Sequence, residues 1–191
     1  MTSTTATATP AAATTAISIW NIDPAHSAAE FKVRHMMISF VKGKFSGLSG
    51  VLSLDETDYT HSTVEVSIPT ASVKTVDDKL DAHLKNEDFF DVEKFPTITF
   101  KSASIRSTGG RDYAVTGDLT IRGVTKPVTL SVNDVSEPSK DPWGNYRIGL
   151  SGTAKVDRRD FGLVWNAALE FGGVLVGDEV TITLDVQFIK G

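Results

Sequence analysis

Histidines are the first candidates for chemistry in this chain, and the aspartates near one of them suggest a metal site. There are four: His26, His35, His61 and His83. His83 lies within six residues of Asp77, Asp78 and Asp81, and imidazole with carboxylates can hold a divalent metal. No second histidine stands at the spacing that would supply two imidazoles from one element. A solvated or helix-capping charge cluster is the favoured interpretation of these residues, and we predict no metal site.

His35 follows Phe31 and Val33 at alternate positions, so in a strand all three side chains point to the same face. A histidine on an apolar face can be a hydrogen-bonded core residue or a polar group that meets a ligand. Both readings stay open from the sequence, and His35 is our candidate for a polar group inside the protein.

Signatures of nucleophilic catalysis are absent from the sequence. It contains no Gly-x-Ser-x-Gly motif, and no serine stands at a sequence spacing from a histidine that indicates a catalytic pair. The absence of cysteine excludes disulfides, thiolate catalysis, cysteine-ligated zinc and iron–sulfur clusters. We therefore predict no catalytic residues.

Alternation of apolar and polar residues dominates the chain and predicts the elements that hold these side chains. A period of two is typical of half-buried antiparallel strands, each with one apolar and one wet face. Such strands must stack as two sheets or close into a barrel. The alternating stretches span residues 31–35, 64–68, 98–100, 113–121, 124–132, 146–156 and 180–188. Short turns between them favour up-and-down neighbours.

Three segments depart from plain alternation. Residues 76–90 place Leu80 and Leu84 at helical spacing and predict a short helix that lids or plugs one end of a barrel. Residues 160–168 are a weaker second helix candidate. In residues 43–50 the apolar phase slips among several glycines, which predicts a bulge or a sharp bend.

The first sixteen residues differ in composition from the rest of the 191-residue chain. Residues 2–16 are Thr, Ala, Ser and one Pro, which predicts a disordered tail, and residues 17–191 suit one all-β domain. The net charge is −5, with Lys and Arg scattered along the chain. This argues against nucleic acid and against an anionic membrane surface as the main partner. No stretch approaches the length of a membrane span, and we expect no stable membrane insertion.

Side-chain size leaves two interpretations of the interior. Large apolar residues could interdigitate with small inward ones and fill the barrel, or the small ones could leave a lumen partly open. The small positions on the inward phase are Gly47, Gly117, Gly152 and Ala154. Alternation by itself does not decide between these interpretations.

Several motifs, in order along the chain, resemble the YceI-like family. They are Trp20–Ser27 (WNIDPAHS), Phe31–Met36 (FKVRHM), Gly43–Phe45 (GKF), Asp81–Leu84 (DAHL), Asp88–Val92 (DFFDV), Phe95–Phe100 (FPTITF), Gly117–Val128 (GDLTIRGVTKPV), Arg159–Gly162 (RDFG) and Gly177–Val180 (GDEV). The resemblance implies a lipocalin-like, closed antiparallel barrel with one or two short helices. It also implies that the lumen binds an amphiphilic lipid, with a polyisoprenoid or a polyprenyl quinone as the usual candidate. Leu80 stands where the family has arginine, so no headgroup contact from that arginine is carried over.

Alternation and resemblance together predict a non-enzymatic lipid-binding protein that stores, shields or transports its ligand, without a cofactor. A homodimer is left open. The predicted ligand-binding residues comprise seven wall residues, the polar group and two residues at the mouth or plug. They are Phe31, Val33, Phe45, Phe100, Leu119, Phe161 and Trp165, then His35, then Phe89 and Phe90.

Two rival interpretations come from other classes of protein. One is an enzyme that acts on a lumen-bound lipid through His83 with Asp81 or Asp88, with or without a metal. The other is a solid-core barrel used only for protein contacts. Many relatives of the resembled family are periplasmic, but the first residues contain no Lys or Arg and no apolar run. We therefore expect a cytoplasmic location.

Overall fold

A computed structural model describes residues 17–170 and 172–191, so the predicted tail, residues 1–16, lies outside the described residues. Within these ranges there are eleven strands and one α-helix. The strands are β1 (Ile17–Ile22), β2 (Ala28–His35), β3 (Ser39–Phe45), β4 (Ser49–Asp55), β5 (Thr63–Pro69), β6 (Thr97–Gly109), β7 (Asp112–Ile121), β8 (Val124–Asn133), β9 (Ser139–Lys140), β10 (Tyr146–Asp157) and β11 (Val176–Lys190). The helix, α1, spans Asp78–Lys85, and four 3-10 turns occupy Pro24–His26, Tyr59–His61, Thr70–Ser72 and Arg158–Phe161.

The strands close into an antiparallel barrel, as predicted. The long β11 pairs with β10 along one edge, while β1 and β2 share its other edge. β4 pairs with β1, and the wall continues through β5, β6, β7, β8 and β10 back to β11. β1 and β2 together form one barrel strand that is interrupted midway. β3 and β4 together form another. The result is an eight-position up-and-down barrel, and the sequence prediction of its fold class is confirmed.

Both interruptions have local causes. Asp23 accepts a hydrogen bond from the backbone N–H of Ala25 and starts the 3-10 turn that separates β1 from β2. Gly47 lies between β3 and β4 with a φ of +68°, a left-handed conformation that glycine adopts without steric cost. The sharp bend predicted for residues 43–50 is therefore present.

The short helix predicted within residues 76–90 is present as α1. Asp77 caps the start of α1 by accepting a hydrogen bond from the backbone N–H of Lys79 at 2.8 Å. The helix ends at Lys85, and turns replace it in residues 86–94. The second helix candidate, residues 160–168, is wrong as an α-helix. There the chain forms only the 3-10 turn Arg158–Phe161, which Gly162 ends at a φ of +74°.

The barrel has two unlike ends. At one, which we call the helix end, lie α1, the β2–β3 turn at residues 36–38, the β7–β8 turn at residues 122–123 and the β10–β11 segment at residues 162–175. The opposite end carries residues 56–62, the β6–β7 turn and residues 134–145. Lys44 and Lys74 exchange backbone hydrogen bonds of 2.9 Å, which ties the chain before α1 to the end of β3.

Candidate functional site

A cavity of about 260 Å³ lies inside the barrel, and its wall is almost entirely carbon. Among the predicted ligand-binding residues, eight line it: Phe31, Val33, Phe45, Phe89, Phe90, Phe100, Leu119 and Phe161. The inward members of the alternating strands supply most of the remaining lining, including Leu130, Leu150 and Ile182. Of the two interpretations of the interior, the structure therefore has the partly open lumen.

Small inward residues do not create this lumen in the way that the sequence suggests. A Cβ at Gly117 would lie 2.3 Å from the carbonyl oxygen of Lys101 and 2.7 Å from Phe100 Cζ. Gly117 thus permits close packing against β6. At Gly152, by contrast, the nearest atoms to such a Cβ are Leu184 carbons at 3.6 and 3.7 Å, an ordinary contact distance.

Aromatic rings close the cavity at the helix end. Phe45 stands between Phe31 and Phe90, with ring centroids 5.9 and 5.4 Å apart respectively. Phe90 follows α1, and its backbone N–H donates to the carbonyl of Leu84 at 3.0 Å. The segment after the helix is thus held against β3, and the predicted mouth or plug residues do lie at an end of the cavity.

His35 does not line the cavity. It is the last residue of β2, half-buried and paired with Ser39 and Val176. The inward phase of β2 reaches the end of the barrel there, so the side chain stands beyond the lining formed by Phe31 and Val33. A role for His35 in ligand binding stays a prediction.

Trp165 also lies outside the lining, in a second layer at the helix end. Its ring is 4.7 Å from that of His83 and 5.4 Å from that of Phe89, which does line the cavity. Arg122 Nη1 donates to the carbonyl of Phe89 at 3.0 Å and to that of Gly162 at 3.4 Å. This guanidinium joins the segment after α1 to the segment after β10.

Arg158 is a buried charged residue that sequence reasoning missed. It lines the cavity with 4% of its surface exposed, and it donates to backbone carbonyls. These are the carbonyls of Gly177 at 2.8 Å, Leu163, Trp165 at 2.9 Å and Val176 at 3.3 Å. Burial lowers the pKa of Arg158, while Asp178, with Oδ1 3.4 Å from Nη2, opposes that shift. Its donors hold the backbone at Leu163, Trp165 and Val176, so Arg158 is an anchor.

The opposite end supplies most of the other lining residues that carry a polar group. Tyr59 and Tyr113 stack with ring centroids 6.0 Å apart, and Ser62 lies nearby in the same lining. No signal in the sequence set these hydroxyl-bearing residues apart. Tyr113 occupies an inward position of β7 like its apolar neighbours, and Tyr59 lies in a turn.

Asp81 holds α1 to the barrel. It accepts hydrogen bonds from the backbone N–H of Thr75 at 2.6 Å and from Thr75 Oγ1 at 2.7 Å, and Lys74 Nζ lies 2.8 Å from its other oxygen. Lys74 and Thr75 lower the pKa of Asp81 to about 2. This carboxylate is therefore occupied away from His83.

His83 is paired with Asp88. Its Nε2 lies 2.9 Å from Asp88 Oδ2, and the ring packs edge-on against Phe89 and Trp165. In the described part of the chain, no group of three or more His, Cys, Asp or Glu side chains is placed to hold a metal ion. Of the two partners suggested for His83, the structure brings only Asp88 to it.

Comparison with known proteins assigns this barrel. The model of the YceI-like domain matches residues 20–188, nearly the whole described chain. The chain belongs to the YceI-like family. A UPF0312 protein of Shewanella sp. (strain W3-18-1) is 39% identical over 154 residues, which are 81% of this chain and 80% of that protein.

Solved structures of similar proteins show the same YceI-like fold. The crystal structure of Burkholderia cenocepacia BcnA is 25% identical, with a TM-score of 0.75 over 87% of this chain and 98% of BcnA. A domain from Saccharophagus degradans described as polyisoprenoid binding has a TM-score of 0.64 over 92% of this chain and all of that domain. At 14% identity, this last similarity is one of fold.

No helix in the described residues has the length and apolar character needed to cross a membrane.

Proposed function

We propose that this YceI-like protein binds an amphiphilic lipid in its lumen, with a polyisoprenoid or a polyprenyl quinone as the ligand class. The observation that carries the proposal is the apolar cavity of about 260 Å³. A site for one water needs only about 10–15 Å³, but it also needs polar partners. Apolar cavities stay dry, so the fitting occupant of this one is a hydrocarbon chain.

The chemistry of the wall supports a ligand whose buried part has no hydrogen-bonding groups. Arg158 directs its donors to backbone carbonyls and one carboxylate, so it is not available to a headgroup. Inside the helix end the lining consists of rings and aliphatic carbons. A prenyl tail needs only such walls, and its polar head can stay at the end of the barrel.

Energetics support binding with little selectivity. Each buried methylene contributes roughly 0.8 kcal/mol, so a tail of several prenyl units can exceed association costs of about 4–15 kcal/mol. Because one methylene changes affinity by only about 1–3 kcal/mol, such a wall discriminates poorly among tails. The polyisoprenoid class also agrees with the name of the Saccharophagus degradans domain.

We further propose that the protein stores, shields or transports this lipid and does not transform it. Asp81 is bound to Thr75 and Lys74, which leaves the pair of His83 and Asp88 without a second carboxylate. That pair packs behind Phe89, one layer away from the cavity.

Organic extraction of the purified protein, followed by mass spectrometry, tests the proposal. We expect a long-chain isoprenoid-type lipid, or stoichiometric uptake of an added prenyl quinone by the extracted and refolded protein. Recovery of no lipid together with no uptake would contradict it. Chemical conversion of the added quinone, lost in His83→Ala, would instead favour the enzymatic alternative.

A further inference from the structure

The hairpin formed by β2 and β3 projects an apolar tip from the helix end. Met36, Met37 and Ile38 form the turn, and Phe40 lies on the outward face just behind it. Their exposed fractions are 40%, 58%, 78% and 43%. Exposed clusters of large apolar side chains, unlike isolated ones, mark interaction sites.

The backbone of this turn is strained for the residues it contains. Met36 and Met37 have φ values of +50° and +62°, and the N–H of Ile38 donates to the carbonyl of His35 at 3.1 Å. Three residues separate the paired His35 and Ser39, and the first two of them have the positive φ values of the central residues of a type I′ turn, positions where Asn and Gly are favoured. The β7–β8 turn has the same pair of positive angles and uses Gly123 at its second position. Two methionines at the tip are therefore not explained by turn chemistry.

The apolar surface continues onto the neighbouring segment. The backbone N–H of Met36 donates to the carbonyl of Leu175 at 2.7 Å, which joins the hairpin to the end of the β10–β11 segment. Val174, next to Leu175, is 39% exposed. The tip and this segment thus form one apolar surface at the helix end.

Cations lie on the outward face of the hairpin behind the tip, although the chain as a whole has a net charge of −5. On the outward face of the hairpin, Lys32 stands directly opposite Lys42, Glu30 opposite Lys44, and Arg34 opposite Phe40. The face therefore carries four cations and one carboxylate. Like charges directly opposite each other destabilise a strand pair. Among the ion pairs of the described residues, none includes these four cations.

We propose that this hairpin docks the protein on a bilayer that contains anionic phospholipids. Met36, Met37 and Ile38 would enter the interfacial region, while the basic face behind them meets the headgroup phosphates. Arg34 and Lys32 lie over the Phe40 ring at 4.1 and 4.9 Å from its centroid, so ring and cations form one amphipathic surface. Charge complementarity selects an anionic bilayer over an uncharged one.

Docking there would bring the lumen to the membrane. β2 turns Phe31 and Val33 toward the cavity and Lys32 and Arg34 toward the outside, so the same strand contributes to both surfaces. Phe45 and Phe90, which close the cavity, lie at this end. A lipid tail leaving the bilayer would thus meet the cavity at its aromatic closure.

Co-sedimentation with vesicles tests the docking surface without any added guest, so its result is separate from that of the proposed function. Two vesicle compositions are compared: phosphatidylcholine with about 30% phosphatidylglycerol, and phosphatidylcholine alone. We expect binding to the former that weakens as salt is raised. The double variant Met36→Asn/Met37→Gly should lower binding about tenfold or more. It should leave the melting temperature unchanged or higher, since Asn and Gly adopt the positive φ values of these two positions at lower cost than Met.

Matched variants separate this surface from general stickiness. Trp143→Ser removes an exposed ring, 81% exposed, at the opposite end and should leave vesicle binding unchanged. Lys32→Gln/Lys42→Gln should weaken binding to the anionic vesicles by about fivefold per cation, while Arg106→Gln on β6 should not. Equal binding by the wild type and the turn variant, or no preference for anionic vesicles, overturns the proposal. A change in self-association of the turn variant with unchanged vesicle binding also overturns it, and assigns the tip to contacts between copies.

Discussion

The rings of Phe45 and Phe90 meet edge to face, with centroids 5.4 Å apart and planes at 83°. Phe45 ends β3 and Phe90 follows α1, so this contact joins the barrel wall to the segment that covers its helix end. Both rings also line the cavity. The contact between these two side chains from different elements therefore contributes to the closure of the lumen at the helix end.

Removing that contact should speed the exchange of a bound guest. Aromatic pairs contribute about 0.5–1.5 kcal/mol beyond their buried area, so Phe90→Ala should raise the release rate of a fluorescent fatty or prenyl probe roughly two- to tenfold. Stopped-flow displacement measures this rate. Tyr146→Ala, at an exposed ring of the opposite end, is the control. Equal release rates in the two variants would show that the lumen does not open beside Phe90.

Two inward glycines should respond differently to the same substitution. Gly117→Ala places a Cβ 2.3 Å from a backbone oxygen and should lower the free energy of unfolding by about 1–3 kcal/mol. Gly152→Ala meets carbons no closer than 3.6 Å and should be neutral or gain about 0.4–1 kcal/mol through reduced freedom of the unfolded chain. Urea denaturation distinguishes them. Similar losses in both variants would contradict the packing described for Gly117.

Arg158 should be essential for order of the backbone around Leu163, Trp165 and Val176, whereas its neighbour Arg159 should not. Arg158→Met leaves buried carbonyls without donors, each at about 1–3 kcal/mol, and should speed amide exchange in this segment. Arg159 is 55% exposed on its side chain and pairs with Asp157 at the surface, so Arg159→Met should cost less than about 1 kcal/mol. Hydrogen exchange read by mass spectrometry makes the comparison. Protection kept in Arg158→Met would refute the anchoring role.

Acid should destabilise the fold through Asp23. Arg147 Nη1, at 2.6 Å, and His26 Nδ1, at 2.8 Å, lower the pKa of this carboxyl to about 2. An unfolded aspartate titrates near 3.9, so between about pH 4 and pH 2 the unfolded chain binds more protons than the native protein. The free energy of unfolding should therefore fall as pH drops through this interval. Asp23→Asn should be less stable at neutral pH and show a shallower slope, and parallel curves would contradict the assignment.

Alternation in the sequence predicted antiparallel strands and most of the residues that line the cavity, because strand phase determines which face a side chain occupies. The choice of a closed barrel over two stacked sheets came from the resemblance to the YceI-like family. Phase does not determine depth along the barrel axis. His35 shares the phase of Phe31 and Val33, yet it stands past the end of the cavity. Trp165 lies in a segment without alternation, and its second-layer position depends on the ring of His83.

Other features depended on partners that are distant in sequence. From the sequence, Gly117 suggests open space next to its own strand. In the structure, the ring of Phe100 and the backbone of β6 occupy that space. Arg158 is followed by Arg159, which is exposed, so the sequence does not distinguish the buried arginine from the exposed one. Only the folded backbone around Arg158 reveals its burial. The basic face of the hairpin was likewise not apparent, since its cations alternate with apolar residues along β2 and β3 and meet only across the strand pair.

Binding of a prenyl quinone to two neighbouring tryptophan variants tests the central claim most directly. Leu130 lines the cavity from β8, while Ser131 beside it is exposed on the outer face. The account predicts that wild type and Ser131→Trp bind the quinone with one-to-one stoichiometry in a calorimetric titration, and that Leu130→Trp loses at least about tenfold in affinity by occupying the guest's volume. Equal affinity in the two variants, or no binding by the wild type, would contradict a lumen that holds a lipid.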